Sequence, residues 1–243
     1  MEIRICKNYV ELGKSAAKET AQILKDAIAE KGCARIVLST GASQFDTLKA
    51  LTEEPGIRWD CVEMFHLDEY VDLPETHGAS FRKYLKERFV EKVRTLKAAH
   101  FVDGTKECIA KLTEEIRKAP IDVGLIGIGE NAHIAFNDPP ADFDTTEAYI
   151  IVTLNERCKQ QQMGEGWFAT MDDVPPQAIS MTPYQIMQCK KIISCVPYKV
   201  KAEAVKNTVH ATEVTNMIPA TLLKTHPDFI LYVDEDSAAG ILA

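Results

Sequence analysis

The 243-residue sequence contains no apolar run near the roughly 18 residues that a membrane helix needs. Its first residues, MEIRICKNYVELG, lack the apolar core of an export signal. There is no block of basic residues. Acids outnumber bases 36 to 28 for a net charge of −8, which argues against nucleic acid or anionic lipid as a partner. No C-x-x-C pair occurs and the cysteine count, seven, is odd, so neither a zinc ribbon nor a disulfide framework is indicated. Reduced thiols in the cytosol fit that usage. Repeats, low-complexity stretches and linkers are also missing, so residues 1–243 read as one domain. What remains is 46% hydrophobic and 26% charged, as in a soluble globular enzyme. A chain this long buries a core without a metal or disulfide staple.

Strand-like and helix-like segments alternate. Apolar runs predict strands at 35–39, 61–67, 123–128, 149–154, 178–181, 192–196 and 229–233. Helical spacing predicts helices over 9–30, from the turn at 40–43 through Leu51, and over 79–93, 105–118, 199–208 and 219–224. Such alternation implies an α/β fold with a mostly parallel sheet covered by helices. Ligands then gather at the carboxyl ends of the strands.

Four segments stand at such ends. The first, Thr40-Gly41-Ala42-Ser43, is a small-residue turn between a strand and a helix, able to aim backbone N–H groups at an anion. No Gly-Lys-Ser/Thr follows, so it is not a Walker A loop. The second places Asp68 beside Glu69, followed by a polar turn to His77. Adjacent carboxylates point apart, so one can face a crevice while the other ties down the loop. The third, Gly127-Ile128-Gly129-Glu130-Asn131-Ala132-His133, sets an imidazole in a glycine-rich loop, with Asp138 near enough to orient it. The fourth is Lys199, at the start of a predicted helix, where ammonium and helix N-terminus together favour a phosphate. Lys201 and Lys206 read as ordinary surface lysines. Each segment alone also fits a plain turn or a solvated face.

Taken in order, LSTGAS, HLDEYVDLP, GIGENAHIAFNDP, VPPQAISMT, Lys199 and LLKTHPDFILYVDEDSA resemble the glucosamine-6-phosphate deaminase family, which includes galactosamine-6-phosphate isomerases. The resemblance implies a Rossmann-like three-layer α/β/α fold. It implies deaminating isomerisation of a 2-amino-2-deoxyhexose 6-phosphate to a ketose 6-phosphate and ammonia, with neither metal nor organic cofactor. It casts His133 as the proton carrier for ring opening and Asp68 as the base moving a proton between C2 and C1. Thr40, Gly41, Ala42, Ser43, Glu69 and Lys199 become substrate and phosphate contacts. A relative with the same fold, 6-phosphogluconolactonase, carries a similar loop and is the alternative.

The sequence departs from the family pattern at several points. Asn131 stands where the family has aspartate, Ala132 where it has glycine, and Asp138 where it has glutamate. Gln162 occupies the region of a phosphate-binding arginine, for which Arg157 is the candidate substitute. These changes suggest the galacto epimer as substrate, or a catalytically weak sugar-phosphate-binding protein. The oligomeric state is left open.

Overall fold

The computed structural model describes residues 1–164 and 166–242. Ten strands occur among them: β1 (Glu2–Cys6), β2 (Ala34–Leu38), β3 (Val62–His66), β4 (Asp68–Tyr70), β5 (Ala98–His100), β6 (Val123–Leu125), β7 (Tyr149–Thr153), β8 (Gln177–Met181), β9 (Lys191–Val196) and β10 (Phe229–Asp234). Seven form a fully parallel sheet in the order β1-β10-β9-β6-β2-β3-β5. Helices cover both faces, so the fold is the expected three-layer α/β/α arrangement. The pleat makes the layers visible in sequence. Ile36 and Leu38 of β2 join one core cluster and Val37 the other; Ile230 and Tyr232 of β10 oppose Leu231 and Val233.

The first helix, Tyr9–Lys31, follows from its ends. The Asn8 side chain accepts from the N–H groups of Val10 and Glu11, and Gly32 closes it at φ +78°. Its buried stripe, Leu12, Ala16, Ala17, Ala21, Leu24 and Ala27, seats it on the sheet. At Gly13 it meets the helix Phe45–Glu53 so closely that a Cβ would lie 2.7 Å from the Asp46 carbonyl carbon.

Strand order dictates where a ligand can sit. The chain runs from β2 outward to β3 and β5, then returns to place β6 on the other side of β2. The connections leaving β2 and β6 therefore part in opposite directions and leave a crevice over their carboxyl ends.

Several elements differ from the sequence reading. The segment after Leu67 is not simply a turn. Asp68–Tyr70 pairs antiparallel with β8, and β8 pairs with β7, in a separate three-stranded sheet. β7 and β8 were expected in the parallel sheet, but they pair antiparallel with each other and β8 pairs with β4, which is about a hundred residues away in sequence; periodicity does not report strand partners. β1 has no sequence signature because it is a short edge strand with no fully buried residue. The helix Glu156–Gly164 was also missed; it is mostly polar and buries only Cys158 and Gln162. Residues 219–225 form a 3-10 helix.

All seven cysteines are free thiols. No helix among the described residues is long and apolar enough to cross a membrane.

Candidate active site

A cleft of about 150 Å³ opens above β2, β6 and β9. Its floor is the turn after β2. The N–H of Ser39 donates to Leu125 O, which ties that turn to β6. Gly41, at φ +97°, turns the chain into a short 3-10 turn and then the helix Phe45–Glu53. Tyr84 Oη donates to Gly41 O at 2.9 Å, and buried Gln44 donates to Cys195 O of β9 at 3.1 Å. Thr40, Gly41, Ala42 and Ser43 all line the cleft. So does Ser39, whose buried hydroxyl has no hydrogen-bond partner among the described residues. Unused donors at a helix start suit an anion.

Asp68 and Glu69 divide their tasks as their alternation on β4 requires. Glu69, fully buried, accepts from the N–H groups of Tyr70, Phe81 and Arg82, from Ser80 Oγ at 2.9 Å and from Arg82 Nε at 3.3 Å. It caps the helix beginning at Phe81 and fastens the preceding turn. It does not line the cleft, so its assignment as a substrate contact is corrected. Asp68 lines the cleft while only 6% exposed. Burial, with the charge of Glu69 added, pushes its carboxyl up to about 8. The neighbouring His66 has no such role: burial pushes it down to about 3, so it is neutral, and it is absent from the cleft.

The imidazole is placed by backbone. Asn137 Nδ2 donates to Ile134 O and Met181 O, both at 2.8 Å, pinning the loop to β8. Ala132 (φ +64°) and Ala135 (φ +51°) take the left-handed conformation on either side of His133. The first explains why a glycine is the usual residue at that position. The ring lies against Gly129, where a Cβ would come within 2.1 Å of His133 Cε1. Its Nδ1 is 2.6 Å from Asn131 Oδ1 and 3.2 Å from Asp138 Oδ1, and Asn131 Nδ2 donates to Asp138 Oδ1 at 3.0 Å. Both neighbours of Nδ1 are acceptors, so the proton sits there and Nε2 is left as the basic nitrogen. Burial opposes ionisation of Asp138, but its contacts with His133 and Asn131 hold its pKa below the usual carboxylate value. A carboxylate thus stands beside Nδ1 even though position 131 is an amide. Asn131 and Asp138 do not themselves line the cleft.

Two cations were misplaced in the sequence reading. Lys199 is exposed and does not line the cleft; Lys201, read as a surface residue, is 7% exposed and does. The reason is helical phase. Residues 199–201 form a single 3-10 turn after Tyr198 (φ +80°), and the α-helix starts only at Ala202. Lys201 thus holds the cap position expected of Lys199. Arg157 is exposed on the helix Glu156–Gly164 and also lies outside the cleft. That helix instead contributes Gln161 and Gln162. Gln162 is 5% exposed, and its Oε1 accepts from Tyr70 Oη at 2.6 Å. Glu130 and Tyr198 also line the cleft and were not singled out. The buried stripe Ala204, Val205 and Thr208 of the following helix was the available signal, since Lys201 precedes it on the same face.

The architecture and site define an α/β/α protein in which a buried carboxyl and an imidazole share a cleft with an anion-type turn. The chain belongs to the glucosamine-6-phosphate isomerase/6-phosphogluconolactonase family, whose model matches residues 7–231. It is 34% identical over 250 residues to a glucosamine-6-phosphate deaminase of Thermoanaerobacter pseudethanolicus, covering 99% of this chain and 95% of that one. It is 30% identical to glucosamine-6-phosphate deaminase 1 of Bacillus subtilis, covering 98% and 99%. Among solved structures, a monomeric glucosamine-6-phosphate deaminase superposes with TM-score 0.88 at 27% identity, covering 99% of this chain and all of that one. A 6-phosphogluconolactonase from Shewanella baltica shares the fold, with TM-score 0.78 at 16% identity over 96% of this chain and 97% of that one.

Proposed function

We propose that this protein converts a 2-amino-2-deoxyhexose 6-phosphate into a ketose 6-phosphate and ammonia. The observation that carries the reading is Asp68, a buried carboxyl with pKa near 8 that shares one cleft with His133 and the turn at residues 40–43. A base of that kind suits removal of a proton from carbon. The phosphate rests on the turn and on Lys201, which fixes the sugar carbons against the two proton carriers. His133 Nε2 moves a proton between O5 and O1 and opens the ring, with Asp138 stabilising the imidazolium. Asp68 takes the C2 proton and returns it to C1, while a proton passes from the amine nitrogen to O1. The resulting C2 imine is hydrolysed by water, and ammonia leaves. No step uses a metal or organic cofactor. Seven cysteines without a disulfide support a cytosolic setting, and the chain acts as one catalytic unit.

The relatives' names support the gluco epimer. Of the changes that suggested the galacto epimer, Asn131 and Asp138 lie behind the imidazole and do not line the cleft, whereas Gln162 does. Ammonia release from both C4 epimers, with 6-phosphogluconolactone as a third substrate, tests the proposal. Ammonia from an amino sugar phosphate is expected; lactone hydrolysis without ammonia release would replace this reading.

Lys201→Ala should raise KM by roughly 10- to 100-fold with a smaller change in kcat, as for loss of a hydrogen bond to a charged group. Added salt should weaken substrate binding to the unsubstituted protein more than to the variant, because a charge contact is screened. Lys199→Ala should leave KM near its starting value. Steady-state kinetics at two ionic strengths measure all three effects.

A further inference from the structure

The proposed substrate carries charge at two places, a phosphate on C6 and an amine on C2. The cleft offers one buried lysine, Lys201, for the first. The acids nearby are almost all committed. Glu69 faces away and accepts five hydrogen bonds. Asp138 is engaged with His133 and Asn131 behind the ring. Asp68 is held protonated near neutrality. Glu130 is different. It lines the cleft directly after Gly129, the residue on which the His133 ring rests, and its own N–H is held by Gln161 Oε1 at 3.4 Å. Among the described residues no hydrogen bond or ion pair engages its carboxylate.

We infer that Glu130 is a specificity-determining residue, binding the C2 ammonium of the substrate. This rests on the deaminase reading. Lys201 and Glu130 then present one positive and one negative group to a ligand charged in the opposite sense at two points. The same carboxylate disfavours sugar phosphates without an amine, because its charge loses water without gaining a partner. Discrimination thus comes from one residue beside the reacting carbon.

A non-reacting pair of ligands isolates this role: 2-amino-2-deoxyglucitol 6-phosphate and glucitol 6-phosphate, which lack the aldehyde and differ in the amine. Calorimetry on the unsubstituted protein should give at least about tenfold tighter binding of the amino compound, as expected for a hydrogen bond between charged groups. In Glu130→Gln that preference should vanish. Affinity for the amino compound should fall roughly 10- to 100-fold, while affinity for glucitol 6-phosphate should hold or rise, because the uncompensated carboxylate is gone. In turnover, KM for the amino sugar phosphate should rise far more than kcat falls. Equal losses for both ligands, or an amine preference that survives the substitution, would overturn the assignment while leaving the deaminase reading intact. Failure of both hexitol phosphates to bind the unsubstituted protein would instead remove the phosphate site and the deaminase reading with it.

Discussion

Asp68→Asn is expected to eliminate deamination and, at the same time, to make the protein more stable in mildly alkaline solution. The two effects share a cause. The folded state holds the Asp68 proton up to about pH 8, against 3.8 for the free group. Between those values the folded state binds more protons than the unfolded one, so stability falls as pH rises from about 4 to about 8. Asparagine has no proton to lose. The stability advantage of the variant should therefore be negligible near pH 4, grow through neutrality and level off above pH 8. Its ceiling is on the order of several kcal/mol, from the conversion of about 1.36 kcal/mol per pH unit. At pH 8 this corresponds to a rise in Tm of roughly 10–20 °C. In the unsubstituted protein kcat/KM should climb about tenfold per pH unit below 8, as the basic form appears. Thermal melts between pH 4 and 9, with turnover assays, measure both. A variant that retained turnover would remove Asp68 as the base. A variant with no stability gain at pH 8 would mean that the carboxyl is not buried at a cost.

Gly129→Ala is the second substitution with a large expected effect. The glycine has no unusual φ; its requirement is spatial. An added methyl would overlap the His133 ring, with contacts of 2.1 Å to Cε1 and 2.2 Å to Nε2. The ring must swing away and give up its Nδ1 contacts with Asn131 and Asp138, or the loop must shift. Loss of a positioned acid–base group costs roughly 10²- to 10⁴-fold, and kcat should fall within that range. Global stability should drop by only about 1–3 kcal/mol, the usual range for overpacking. Binding of glucitol 6-phosphate should survive, because the turn at 40–43 and Lys201 are untouched. Kinetics combined with nuclear magnetic resonance of the histidine ring follow the outcome. An unchanged kcat with an unchanged His133 signal would mean that the imidazole is not confined by Gly129.

The sequence made those parts visible whose physics is local. β2 and β6 are short apolar runs, and a run that is apolar on both faces belongs inside a parallel sheet. Adjacent carboxylates at Asp68 and Glu69 could be expected to point apart, but the strand that sets their faces reads in sequence as a turn. His133 stood out through its glycines, and Asp138 through its distance along the loop. The misreadings come from rotation and long-range pairing. Whether Lys199 or Lys201 enters the cleft depends on a single 3-10 turn, which moves the start of the α-helix from residue 199 to Ala202. Arg157 could not be ruled out because its helix has almost no apolar stripe from which to read a face. Glu69 was grouped with the binding residues because its five donors come mainly from Ser80, Phe81 and Arg82, beyond a turn whose course the sequence does not specify. Glu130 was overlooked because a lone acid in a glycine loop has no spacing signal.

The displaced residues still leave a consistent site. An amide at position 131 raised the question of whether His133 could work at all. The Asp138 carboxylate beside Nδ1 supplies the charge that Asn131 lacks, and Asn131 donates to that same carboxylate. In the proposed mechanism these two residues act together behind the ring.

Following deuterium from C2 gives the sharpest test of the proton-transfer mechanism. An amino sugar 6-phosphate deuterated at C2 is turned over in ordinary water, and the ketose product is examined at C1. If one carboxyl carries the hydrogen, label appears on a single face of C1 and in solvent, ammonia forms in step with ketose, and Asp68→Asn gives neither. Label shifted at an unchanged rate by the Asp68→Asn protein would show that another group relocates that hydrogen.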